Sequence, residues 1–226
     1  MRHPIEVVLE AGAKRAFASA IDWPGWARAG RNEEEALAAL AACGPRYRAV
    51  VSILGPNPVA PGDALGFVVV ERAPGNATTE FGAPGVPADA DERPLDRAGL
   101  DRQVAILRAA WRSFDAAATA AEGVALRTGP RGGGRDLGKM IDHVHEAERS
   151  YLGQLGLRAP APALDSPASR AALRDAVVAG LEAVQAGDVP REGSRGGRRW
   201  SARYFVRRAA WHVLDHAWEI EDRTAA

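Results

Sequence analysis

The sequence predicts a small α+β module followed by an all-α antiparallel four-helix bundle, and three observations carry that prediction. Short apolar runs punctuated by Gly, Pro and Asn turns fill residues 5–81. A Pro- and Asp-rich stretch, APGVPADADERP, follows at 83–94. Beyond it lie four amphipathic segments, each long enough for several helical turns. The expected boundaries are therefore an α+β module at 1–86, a linker at 87–93 and a bundle at 94–226.

Residues 5–9 and 14–20 are β-prone and flank Ala11-Gly12-Ala13, which suits a hairpin connection. Asp22-Trp23-Pro24-Gly25-Trp26 is a turn bounded by aromatics, with a short strand expected at 26–29. Asn32 supplies an N-cap, and Glu33, Glu34 and Glu35 load the first turn of a helix, where carboxylates meet the positive end of the helix dipole. Leu37, Leu40, Tyr47, Val50, Val51 and Leu54 line one side, with a break or kink expected at Gly44-Pro45. A further β-prone pair, 67–72 and 78–81, brackets the turn Pro74-Gly75-Asn76.

The first bundle helix is expected at 94–122, with Leu100, Val104, Leu107, Trp111, Phe114 and Ala118 at helical spacing. The Gly-rich run TGPRGGGRD ends it. No Gly-Lys-Ser/Thr follows, so it is not a phosphate loop; it reads as a flexible connection near the mouth of a site. The second helix spans 136–155 on Leu137, Ile141, Val144, Leu152 and Leu155. Glu148 falls inside that apolar arc, and a buried carboxylate needs a partner, an Arg or a metal. The third starts at Ser166-Pro167, an N-cap with Pro at the first helical position, and runs to 186 on Leu173, Val177, Leu181 and Val184. A basic, Gly-rich loop at 191–199 then offers its cations to solvent or to an anionic substrate.

The last helix, 199–223, carries the chemistry. His212 and His216 are four apart and stack on one face, in the stripe shared by Phe205, Ala209 and Ile220. That spacing offers a metal two ligands from one helix. His143 and His145 form a second cluster on the 136–155 helix, so a third ligand can come from a facing helix. The alternative is that all four are hydrogen-bonded helix residues without an ion. HVLDH has no Glu after its first His, so a zinc peptidase is disfavoured. Helical phase places His145 nearer the stripe than His143. Trp211 and Trp218 occupy a second apolar face, which the N-terminal layer or a second copy in a homodimer must cover.

Lys plus Arg and Asp plus Glu each total 29, so no net charge argues for nucleic acid or an anionic membrane. The single Cys43 cannot form an internal disulfide, which fits a reducing compartment. The opening MRHPIEVVLE lacks the apolar core of a signal peptide, and no run approaches the ~18 apolar residues of a membrane span. A cytoplasmic protein is expected.

Two resemblances add to this reading. The stretch AFASAIDWPGWARAGRNEEEALAAL resembles the N-terminal part of HicB-type antitoxins, where a strand, a Pro-Gly turn and an acidic-capped helix follow one another. It implies a shape rather than an activity. Residues 94–224 resemble the DinB-like superfamily of four-helix bundles, through MIDHVHEAERSYL on the second helix and AWHVLDHAWEIEDR on the last. That resemblance implies a divalent metal (zinc, nickel or iron) held by His143, His212 and His216, with His145 as the substitute for His143. It also implies kinship with isomerases and transferases that use a low-molecular-weight thiol, mycothiol or bacillithiol. On this reading Glu148 or Asp215 orients a ligand or moves a proton, Glu219 stands beside the last pair, and Trp111, Tyr151 and Trp218 are candidates to wall a small-molecule pocket. Two classes of function follow: a metal-dependent thiol transferase or hydrolase, or a non-catalytic binding or regulatory scaffold whose histidines are structural.

Overall fold

The computed structural model describes residues 4–55, 66–129, 134–160, 166–194 and 196–224. Strands β1 (Ile5–Ala11), β2 (Ala16–Ala20), β3 (Ala27–Gly30) and β4 (Phe67–Pro74) form one sheet in the order β3-β2-β1-β4. β1 and β2 are the expected antiparallel hairpin, with Val7 opposite Ala20 and Leu9 opposite Ala18. β4 lies parallel to β1, and helix α1 (Glu33–Val51) lies within the crossover that a parallel pair requires.

β1 is central and covered on both faces. Val7 and Leu9 enter the main core, while Val8 packs with Ile21, Ala88 and Ala90 in a small separate cluster. Residues 87–93, expected as a linker, therefore lie against the sheet, with a 3-10 turn at Asp89–Glu92. Buried acids tie this strap and the residues leading into it. Glu10 accepts from the backbone N–H groups of Gly85 and Val86 at 3.0 and 3.1 Å. Asp91 takes a bidentate contact from Arg207 at 3.0 and 2.5 Å. The segment looks like a linker in composition because polar anchors, rather than an apolar stripe, hold it down.

Two local expectations are corrected. α1 runs unbroken through Gly44-Pro45. Its last turns are packed around Tyr47, which stacks on Trp26 at 5.5 Å and donates its hydroxyl to the Pro24 carbonyl at 2.8 Å. Tertiary packing thus holds a helix that Pro45 weakens. Residues 78–81, expected as a strand, lie in the short helix α2 (Ala77–Phe81). Asn76 caps it by accepting from Thr78 and Thr79 N–H, and the Thr79 hydroxyl accepts in return from the Asn76 N–H.

The second half holds α3 (Arg97–Ala120), α4 (Leu137–Gln154), α5 (Pro167–Ala186) and α6 (Ala202–Thr224). Each begins at a side-chain cap. Asp96, Asp136, Ser166 and Ser201 accept from the N–H groups of Gly99, Lys139, Ser169 and Tyr204 at 2.7, 2.8, 3.1 and 3.1 Å. α3 and α6 pack along each other, and α4 contacts both α5 and α6. The whole α3 stripe from Leu100 to Ala118 is buried. One continuous apolar core runs from Val7 and Leu9 through Tyr47, Phe114 and Leu181 to Ile220.

The second apolar face of α6 is covered by the N-terminal layer. Trp211 meets Phe17 edge-on at 5.9 Å, and the Arg28 guanidinium lies 4.2 Å from the Trp218 ring centre. The Trp23–Trp26 turn also presses on α6. Gly25 sits at φ 92°, and a Cβ there would come within 2.8 Å of Leu214 Cδ1. Among the described residues one stretch, Glu33–Leu54, is long and apolar enough by length and composition to cross a membrane, which the sequence reading did not anticipate. In this structure its Ala36, Leu40 and Tyr47 belong to the core.

Candidate metal centre

Helices α4 and α6 bring His143, His212 and His216 together, with one nitrogen from each lying within 4.8 Å of the others. The α6 pair follows from its four-residue spacing, and the third member comes from the packing of α4 on α6. Nε2 of His143 lies 3.2 Å from Nε2 of His212. The rings cross at 65°, 88° and 85° rather than stacking, with centroids 5.0, 5.0 and 4.7 Å apart. Two nitrogens bound to one ion at about 2.0–2.1 Å in a tetrahedral arrangement are separated by roughly 3.3 Å, which the His143–His212 spacing matches.

The protonation of the site fits a ligand set as well. Burial, aided by the nearby Arg135 and His216, pushes His143 down to about 4. Burial holds His212 well below the ordinary histidine range, with His216 and Arg208 adding to the effect. Both are neutral near pH 7, the form that binds a metal. His216 Nδ1 faces Glu219 Oε2 at 3.0 Å. A carboxylate there fixes the proton on Nδ1 and leaves Nε2 for the cluster. The bond from His216 holds Glu219 below the usual carboxylate range, helped by Arg223. Arg223 donates to Glu219 Oε1 at 3.0 Å and to the Arg127 carbonyl at 2.6 Å. Gly134, at φ 146°, lies against that guanidinium; a Cβ there would sit 2.8 Å from it. A cavity of about 680 Å³ opens on this side, lined by Gly134, Arg135, Lys139 and Arg223 among others. His143 and His216 are half-buried and His212 is buried, so the group faces solvent on one side.

Of the other anticipated residues, Tyr151 is beside the cluster, its ring edge-on to His212 at 5.9 Å and tilted against Trp200 at 5.3 Å. His145 is not. It is 1 % exposed, points its ring at Phe114, and neither of its nitrogens has a hydrogen-bond partner within bonding geometry among the described residues. Glu148 lies outside the histidine group too, buried and accepting from the Trp111 indole N–H, with no hydrogen-bond donor to Oε2 among the described residues. Its hydrogen-bond partner is an indole, and of the partners expected, an Arg, Arg174, acts on its charge. Asp215 pairs with Arg28 at 3.6 Å, and the carboxylate in contact with a histidine of the group is Glu219. Trp218 belongs to the interface with the N-terminal layer. In the basic loop, Arg191 and Arg198 both contact Glu92, which leaves these two cations paired. Residues 130–133 of the Gly-rich run lie outside the described residues.

Sequence reasoning missed Arg208. The signal was present, since Arg208, His212 and His216 repeat at four-residue spacing on α6. Trp200 left no such signal, because its place against Tyr151 depends on the loop that precedes α6. No protein-family model, curated protein or solved structure matches the chain.

Proposed function

We propose that the protein is a metal-dependent enzyme of the DinB-like type, with α3–α6 as its antiparallel four-helix bundle. In this reading His143, His212 and His216 hold one divalent ion, zinc, nickel or iron, and the reaction is a thiol-linked transfer, or a hydrolysis, on a small molecule. The observation that carries the reading is the convergence of three imidazole nitrogens within 4.8 Å on a partly open surface. Three protein ligands with free positions are the mark of a catalytic rather than a structural site. A bound divalent ion supplies Lewis acidity, lowering the pKa of a bound water or stabilising a thiolate.

The chain's own residues do the rest. Glu219 holds the His216 tautomer, and Arg223 holds Glu219. Tyr151 and Trp200 form an aromatic wall on the His212 side that shields the reacting region from water. The N-terminal layer, whose β3 pairs Arg28 with Asp215, steadies the metal-bearing helix between its two histidines. The test is elemental mass spectrometry of purified, tag-free protein before and after chelation. About one divalent ion per chain, lost to the chelator, supports the reading. No ion, with no uptake of added zinc, nickel or iron, favours the second reading of a scaffold, in which the 3.2 Å contact between His143 and His212 is a structural hydrogen bond.

A further inference from the structure

The α6 face that carries the two histidines starts one turn earlier, at Arg208. The carbon of its guanidinium lies 5.4 Å from the Tyr151 ring centre and 4.8 Å from that of Trp211. Both rings also meet His212, at 5.9 and 6.3 Å. Arg208 and His212 therefore share the same two aromatic walls. Nη1 of Arg208 is buried and has no hydrogen-bond acceptor among the described residues. A buried donor left unmade is unfavourable, and stacking on aromatic faces offsets only part of that.

Charge points the same way. The acids of α6 near the histidines are already matched, Asp215 by Arg28 and Glu219 by Arg223. Arg208 and Arg135 both add positive potential at His212; neither is in an ion-pair contact with a carboxylate among the described residues, though Arg208 also acts on Asp215 without touching it. A divalent ion would make the site more positive still. The missing component is an anion.

Resting on the metal-centre reading above, we propose that Arg208 is the anion-binding residue of the site, and that the small molecule taken there carries a carboxylate at the end away from its metal-facing group. A guanidinium suits that role because it offers a planar pair of donors to a carboxylate and stays charged at every working pH.

The test compares two probes of equal length, 3-mercaptopropionate and 3-mercaptopropan-1-ol, on cobalt-loaded protein, followed by the thiolate-to-cobalt absorption band. The acid should bind about tenfold or more tightly than the alcohol in the native protein. In Arg208→Gln that preference should vanish while cobalt stoichiometry and the alcohol's affinity hold. Arg208→Lys should keep part of the preference. If Arg208→Gln takes up no cobalt, Arg208→Lys decides: a preference reduced severalfold supports the assignment and an unchanged one overturns it. Equal affinities in the native protein, or a preference that survives in Arg208→Gln, overturns the assignment and leaves the metal reading standing. Failure of the native protein to bind cobalt removes the metal reading and this inference with it.

Discussion

His143 on α4 and His212 on α6 hold their Nε2 atoms 3.2 Å apart although 69 positions separate them in sequence. Two neutral imidazoles that close, lone pair to lone pair, repel unless a proton or a cation lies between them. His216, one turn along α6, adds a third nitrogen to the same space, and a single proton cannot serve all three. Replacing His212 and His216 together with Ala should therefore abolish stoichiometric metal while far-UV circular dichroism keeps its helical signal. Unchanged metal content in that variant would show the ligand set to be wrong.

Glu219 gives a finer test of the same geometry. It accepts from His216 Nδ1 and is itself held by Arg223, which in the proposed metal centre makes it a residue that fixes a tautomer and a ring angle. Loss of such a partner typically weakens metal affinity about 10–100-fold. Glu219→Gln should fall in that range in a competition titration with a chromogenic chelator, with stoichiometry unchanged. An affinity equal to that of the native protein would remove Glu219 from the site.

Much of this site was legible in the sequence, and the reasons differ residue by residue. His212 and His216 could be read because helical periodicity alone sets their relation. His143 could not be chosen over His145 by phase: the three histidines meet at the α4–α6 contact, off the centre of the α4 stripe, while the stripe itself takes His145 inward toward Phe114. The helices of the second half were legible from their caps and apolar spacing. The strap over the sheet was not, because it is held by Glu10, Glu71 and Asp91, polar contacts that leave no periodic trace. α2 reads as a strand in the sequence because its Thr residues are β-prone, while the Asn76 cap that makes it a helix is local and strong.

The Asp91–Arg207 pair should be a main support of the junction between strap and α6. Its side chains are 2 % and 5 % exposed, and Arg207 also donates to the Val86 carbonyl at 3.3 Å. Removing one member of a buried pair leaves an uncompensated charge, at a cost of about 3–5 kcal/mol. Asp91→Ala should lose that much in urea unfolding. Changing both residues to apolar ones of similar size should cost much less. A single variant that loses under about 1 kcal/mol would mean that water reaches the pair.

Glu148 should make stability depend on pH in a direction opposite to most acids. Burial raises its pKa to about 7, against the pull of Arg174 and of the Trp111 N–H, from an ordinary value of 4.5. Below the ordinary value the carboxyl is protonated in both the folded and the unfolded chain, and nothing is lost. As pH rises, the unfolded chain gives up its proton first, while the folded chain keeps its own until about 7. The unfolded state then binds fewer protons, so stability falls across that window and levels off above it. The loss approaches about 3 kcal/mol at alkaline pH. Glu148→Gln keeps the shape and an acceptor for Trp111 but cannot ionise. In chelator-treated protein it should match the native chain near pH 4 and exceed it by up to about 3 kcal/mol near pH 8. An equal difference at both pH values would place the effect in packing instead and leave Glu148 without a titration to contribute.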